Sequence, residues 1–321
     1  MSKVFLDKNF RIFRLQQLPS TTRDEDTVID SLCRDSYNTN VQQLKKKLAN
    51  CILSNGFYKP LLRSQSSTGD LISTTEHNVS RLYNDGRFLN DKVELSDILQ
   101  HLLVRPKTTE LEYEGKSLKI GHFRFKFLNV IPVQFLILIE VEPGVMLLMM
   151  KCMSKLSSVI VDFFINDLGC LFNPLRLSNE FISEILNNTM ASIIEVNKIG
   201  ALEMVYNKIK TTNNSLNSMM LNLENQDLHF FINNEKTFLD TFYEHLFAQS
   251  AIHFDMIQLT RIRCKLYFFS CEGLIRFSSD MSFLPYPETQ DDVRPSIWPL
   301  LHKLCNLCLS SIDTDGTGLK D

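Results

Sequence analysis

The stretch from Thr237 to Ser278, TFLDTFYEHLFAQSAIHFDMIQLTRIRCKLYFFSCEGLIRFS, changes its hydrophobic period once, and that change limits what the chain can fold into. Phe238, Leu239, Phe242, Leu246 and Phe247 recur at helical spacing and predict one apolar stripe on an amphipathic helix. Phe238, Phe242 and Leu246 are therefore expected in the core. From Thr260 to Phe268 the period is two. Ile262, Cys264, Leu266 and Phe268 point one way, and Arg261, Arg263, Lys265 and Tyr267 the other, as in a strand with one buried and one cationic face. Cys271-Glu272-Gly273 supplies a turn, and Leu274 to Ser278 is expected to pair back as a hairpin. A helix beside a sheet follows.

The same two periods organise the rest. Phe10 to Leu18 reads as a first strand. Thr22 with Glu25 matches a capping box, after which Val28, Ile29 and Leu32 begin a helical stripe. Val41 to Leu53 is a second helix, apolar at Val41, Leu44, Leu48 and Ile52, with Lys45, Lys46 and Lys47 on its other side. Ser64 to Asn90 is a Ser-, Thr-, Asn- and Gly-rich loop. Leu95 to Val104 is a short helix expected to stop before Pro106. Lys116 to Leu128 alternates Phe123, Phe125 and Phe127 against His122, Arg124 and Lys126. Val133 to Val141 and Val145 to Met153 are strands joined at Glu142-Pro143-Gly144. Leu156 to Asn166 and Phe181 to Met190 are helices, with a break at Asn173-Pro174. Leu202 to Ile209 and Leu216 to Leu223 are strands, Ser296 to Leu309 is a last helix, and Asp313 to Asp321 is a polar tail.

This pattern predicts an α+β protein with a curved, mainly antiparallel sheet and helices packed on one face. The βαβαβ rhythm of a doubly wound fold is missing. The expected organisation is an N-terminal α+β part, residues 1–175, and a C-terminal α+β part, residues 176–321, that holds the helix and hairpin. One continuous domain is the alternative.

A chain of 321 residues with 44% hydrophobic content can bury a substantial core. Its net charge of -3 rules out a generic polyanion binder, so any nucleic-acid contact must come from local segregation of charge. The opening MSKVFLDKNF lacks the apolar run of a secretory signal. The apolar segment from Ile131 to Met150 is too interrupted, by Pro132, Gln134, Glu140, Glu142, Pro143 and Gly144, to cross a bilayer as a helix. Eight cysteines in such a chain read as reduced thiols.

Few residues point to chemistry. Neither a GxGxxG nor a Walker pattern is present. His302, Cys305 and Cys308 share a helical face, but no second ligand pair accompanies them, and helix core is the better reading. Asp313-Thr314-Asp315-Gly316 begins like a calcium loop and lacks the closing glutamate. No metal or cofactor is expected. The histidines and carboxylates show no nucleophile–base spacing. An enzyme with a dispersed site, hydrolase-like, remains the alternative, and so does a lipid or peptide carrier with a cavity behind Phe123, Phe125 and Phe127. Two rows of cations, Arg124 and Lys126 beside His122, and Arg261, Arg263 and Lys265, are either solvated sheet faces or tracks for a phosphate backbone. Leu274, Ile275 and Phe277 form a short apolar strand. At a sheet edge it would template a partner chain, and inside the sheet it would be covered.

Three segments together resemble the centromere protein L family. They are the aromatic-rich helix followed by Thr260-Arg261-Ile262-Arg263, the segment VIVDFFINDLGCLFNPL from Val159 to Leu175, and the opening NFRIFRLQQLP from Asn9 to Pro19. The resemblance implies a non-enzymatic inner-kinetochore subunit acting in chromosome segregation and cell division, located in the nucleus at the centromere. It implies a heterodimer with a centromere protein N-like subunit formed by joining sheets. Through the assembly it implies contact with centromeric chromatin and DNA, with centromere protein C and with other inner-kinetochore subunits, and no membrane. Centromere protein N has a similar C-terminal part but carries an all-helical N-terminal domain. Here the chain opens with a strand, and Val28 to Leu53 is too short for such a bundle. Compared with family members that have a long polar N-terminal tail, this chain begins almost directly at the strand.

Overall fold

A computed structural model describes residues 5–18, 28–33, 39–57, 93–113, 115–128, 130–192, 199–207, 209, 217–232, 235–282 and 295–310. The Thr22–Glu25 box, the Ser64–Asn90 loop and the Asp313–Asp321 tail lie outside these residues. Among them the chain forms eleven strands and seven helices, an α+β fold with antiparallel sheet. The chain divides into two compact units. One holds residues 15–111 and 118–172, and the other holds 1–14, 112–117 and 173–321. The first strand, β1 (Phe10–Gln17), gives residues to both.

In the unit built on residues 15–111 and 118–172, α1 (Val28–Cys33) and α2 (Thr39–Ser54) precede α3 (Leu95–His101). Next come β2 (Leu102–Tyr113), β3 (Lys116–Phe127), β4 (Ile131–Glu142) and β5 (Val145–Lys151). Hydrogen-bonding order is β2-β3-β4-β5-β1. The β4–β5 hairpin turns at Pro143-Gly144, where Gly144 takes φ +81°. Leu136 to Ile139 and Val145 to Met150 are all buried, so both faces of these central strands are covered. Then α4 (Ser154–Asp162) runs into a π-helical turn, Phe163–Asp167. α2 packs on α3 and α4, and Lys47 bridges Asp162 at 2.8 Å and Asp167 at 2.5 Å. One of the three lysines of α2 is thus a structural tie across the π turn.

The structure corrects the reading of Leu95 to Val104. The helix stops at His101 and a twelve-residue strand takes over, with Pro106 inside it. Pro106 is tolerated because β2 ends the strand order, where a missing N–H costs no ladder bond. Asn173-Pro174 likewise closes a short strand, β6 (Cys170–Pro174), which pairs with β1.

In the other unit the order is β1-β11-β10-β9-β7-β8, formed by β7 (Leu202–Asn207), β8 (Ser218–Leu223), β9 (Gln258–Arg263), β10 (Tyr267–Ser270) and β11 (Leu274–Phe277). Helix α5 (Asn179–Ser192) packs on β9 and on α6 (Phe238–Ser250), and α7 (Trp298–Ser310) follows. Two asparagines of α5 tie the unit together. Asn179 Oδ1 accepts from Leu259 N at 2.8 Å, and Asn187 Oδ1 accepts from Leu239 N at 3.0 Å. Cys305 and Cys308 are buried on α7 beside Leu301 and Leu304. Burial pushes both thiols up to about 12, as for core cysteines.

Two expectations for this unit change. The strand expected over Thr260–Phe268 breaks at Cys264–Leu266. Cys264 N donates to Tyr267 O at 3.0 Å and Lys265 N to Ile199 O at 2.8 Å. The bend resets the alternation, so Tyr267 turns inward onto Phe269 and Lys265 leaves the strand. The hairpin partner β11 is internal and not at an edge. Tyr267↔Phe277 pairs it with β10, and Phe10↔Ile275 pairs it with β1. Ile275 and Phe277 are fully buried and Leu274 is half-buried, so an edge contact through these residues is corrected to a core role.

Candidate interaction surfaces

Each strand order has a terminal member, and the two differ in what their backbones offer. β2 carries Pro106 near its middle, which deletes one donor and blunts the strand as a template. β8, with sequence SMMLNL, contains no proline and has no strand on its outer side among the described residues. Its N–H and C=O row can accept a further strand.

The side chains of β8 show that its core is unfinished. Met219, Leu221 and Leu223 oppose Tyr206, Met204 and Leu202 of β7. The three β7 residues are fully buried, yet Met219 and Leu221 are only half-buried. Beside them runs an open groove of about 620 Å³, lined chiefly by Leu221, Leu223, Phe230, Phe231, Phe242 and Leu246. Its walls are β8, the short 3-10 helix Leu228–Phe231 and α6. Phe230 is 69% exposed at the rim and Met220 63% on the other face of β8. Leu246, expected in the core, is half-buried because it lines this groove, and Phe247 is exposed. A strand added to β8 would drop alternate side chains into the groove. The signal for this site was Met219-Met220-Leu221, an apolar run occupying both faces of a terminal strand.

The cationic rows have different fates. Arg261 and Arg263 share the exposed face of β9. Arg261 lies 5.9 Å over the ring of Phe268, and Arg263 stands between Glu203 and Phe268 in the ladder. Lys265, outside the strand, reaches Asp280 at 3.8 Å. The three do not form the single row that spacing alone implied. Arg124 and Lys126 do share one face of β3, where they join Arg105 and Leu103 of β2 and Val133 of β4 around a shallow groove of about 180 Å³. Their expected neighbour His122 is only 4% exposed. Burial first, then the charges of Arg124 and Lys107, lower its pKa to about 4, so the ring is neutral. The cluster is therefore built from Arg105, Lys107, Arg124 and Lys126. Arg105 and Lys107 escaped the sequence reading because Pro106 was taken to end regular structure.

Phe123, Phe125 and Phe127 are packed into the interior. Among the described residues no helix is long and apolar enough to cross a membrane, and no three His, Cys, Asp or Glu side chains cluster as metal ligands.

The fold is thus an α+β scaffold whose distinguishing features are an open sheet edge with an apolar groove and a separate cationic face. The profile of the family described as Centromere protein L matches residues 145–309, just over half of the chain. The chain belongs to the centromere protein L family, a family of structural proteins of the inner kinetochore, which places it at the centromere in chromosome segregation. No curated protein matches it.

Proposed function

We propose that this chain is a non-enzymatic inner-kinetochore subunit that pairs with a centromere protein N-like partner by strand addition at β8. The observation that carries the reading is the proline-free outer edge of β8 beside the groove lined by Leu221, Phe230 and Leu246. Main-chain hydrogen bonds would give the pairing its affinity, and side chains entering the groove would select the partner. The heterodimer would then help hold centromeric chromatin and bind centromere protein C and other inner-kinetochore subunits. With a net charge of -3, this chain would leave most of the DNA affinity to its partner, with Arg261 and Arg263 contributing at most two backbone contacts.

The test is co-purification with the centromere protein N-like protein. Leu221→Arg places a charge in the groove, and Phe230→Glu places one at the rim. Leu221 is only half-buried and Phe230 is 69% exposed in this chain, so circular dichroism should be unchanged while the partner is lost. Full recovery of the partner with both folded variants would place the interface elsewhere.

A further inference from the structure

The cationic face of β2, β3 and β4 has features that a phosphate track does not need. Arg105 and Lys107 alternate with Leu103 on one side of β2, about 7 Å apart at successive alternate positions. Arg124 and Lys126 repeat the arrangement on β3, and Phe135 stands opposite Arg124 on β4. None of the four cations has a carboxylate at ion-pair distance among the described residues. Leu103, 45% exposed, and Val133, 38% exposed, line the same groove as Arg105, Arg124 and Lys126.

A duplex backbone offers only phosphates and sugars to such a face and would leave Leu103 and Val133 unused. A ligand matching the whole face carries carboxylates for the four cations and an apolar side chain for the groove that Leu103 and Val133 line. Pro106 interrupts the donor row of the β2 edge, so the ligand lies across the face and does not extend the sheet. We infer that the β2–β3–β4 face is a docking site for an acidic peptide segment of a protein partner, anchored by an apolar side chain between Leu103 and Val133. This site belongs to the unit of residues 15–111 and 118–172, and the inference is independent of strand addition at β8.

The test uses the full chain and a labelled peptide as long as β2 in which Glu alternates with Val, followed by fluorescence anisotropy. A Glu–Ser peptide and a random-sequence DNA duplex of similar charge are the comparison probes. Arg105→Glu with Arg124→Glu is expected to weaken the Glu–Val peptide by more than roughly tenfold. Arg105→Gln with Arg124→Gln gives the same direction if charge reversal impairs folding. Leu103→Ser with Val133→Ser is expected to weaken the Glu–Val peptide by roughly tenfold and leave the other two probes unchanged. The inference is overturned if the Glu–Val peptide binds no better than the Glu–Ser peptide. It is equally overturned if the duplex binds more tightly than either peptide and ignores the serine substitutions, which would make this a nucleic-acid face.

Discussion

Leu221 of β8 stands directly opposite Met204 of β7, yet Met204 is fully buried and Leu221 is only half-buried. The pair marks where the core of this unit runs out. Truncation should therefore have unequal costs. Met204→Ala should destabilise the chain by about 2–5 kcal/mol, and Leu221→Ala by no more than about 1 kcal/mol. Urea melts of the two variants make the comparison. Equal costs would mean that the groove is closed in solution.

Helix α6 gives a graded series. Thr237 accepts from Asp240 N at 3.2 Å as N-cap, and Ala251 ends the helix in the left-handed region at φ +56°. Thr237→Ala should cost about 1 kcal/mol, and Ala251→Gly should stabilise by about 0.5–1 kcal/mol, because glycine carries no Cβ penalty there. Phe242→Ala, which removes a buried ring stacked near Phe238, should cost about 3–5 kcal/mol. Thermal melts that fail to rank the three in this order would contradict the capped, half-amphipathic helix described above.

These contrasts explain what was legible beforehand. Local periodicity located α6, the β4–β5 hairpin and the face of Arg124 and Lys126, because each depends on neighbours a few residues away. It did not locate the neighbour of β11. Phe10↔Ile275 joins strands at opposite ends of the sequence, and nothing near Ile275 encodes that pairing. The break at Cys264–Leu266 was hidden for a similar reason. Polar and apolar residue types go on alternating in the sequence through Lys265, and the hydrogen bonds of Cys264 N to Tyr267 and Lys265 N to Ile199 show that the strand has ended. Leu246 was read as core because helical spacing reports which side faces the sheet, not whether the sheet extends far enough to cover it.

Gly273 closes the β10–β11 hairpin at φ +73°, and a Cβ there would fall on the carbonyl oxygen of Leu175. Backbone cannot move aside as a side-chain tip can. Gly273→Ala should therefore destabilise by more than the roughly 1 kcal/mol of left-handed strain alone. A melt within about 0.5 kcal/mol of the parent would show that Leu175 is not held against this turn.

His122 predicts a pH dependence with a definite sign. Its folded pKa of about 4 lies below the ordinary imidazole value of 6.5. The unfolded chain thus takes up the proton first, and the stability that the neutral ring supports is fully present above pH 6.5. That stability is lost as pH falls from about 6.5 to about 4, up to about 3 kcal/mol in all. Compared with the parent, His122→Gln should show a shallower decline in that window, measured by denaturant unfolding at each pH. Parallel profiles would mean that the ring is solvated in the folded chain.

The central claim is that β8 accepts a strand from the centromere protein N-like partner. Hydrogen–deuterium exchange of the chain with and without that partner tests it most directly, because strand addition protects backbone amides whatever the side chains do. The account predicts new protection across Ser218–Leu223, with smaller gains at Phe230 and along α6. Protection that appears elsewhere while the β8 amides exchange as fast as in the free chain would contradict it.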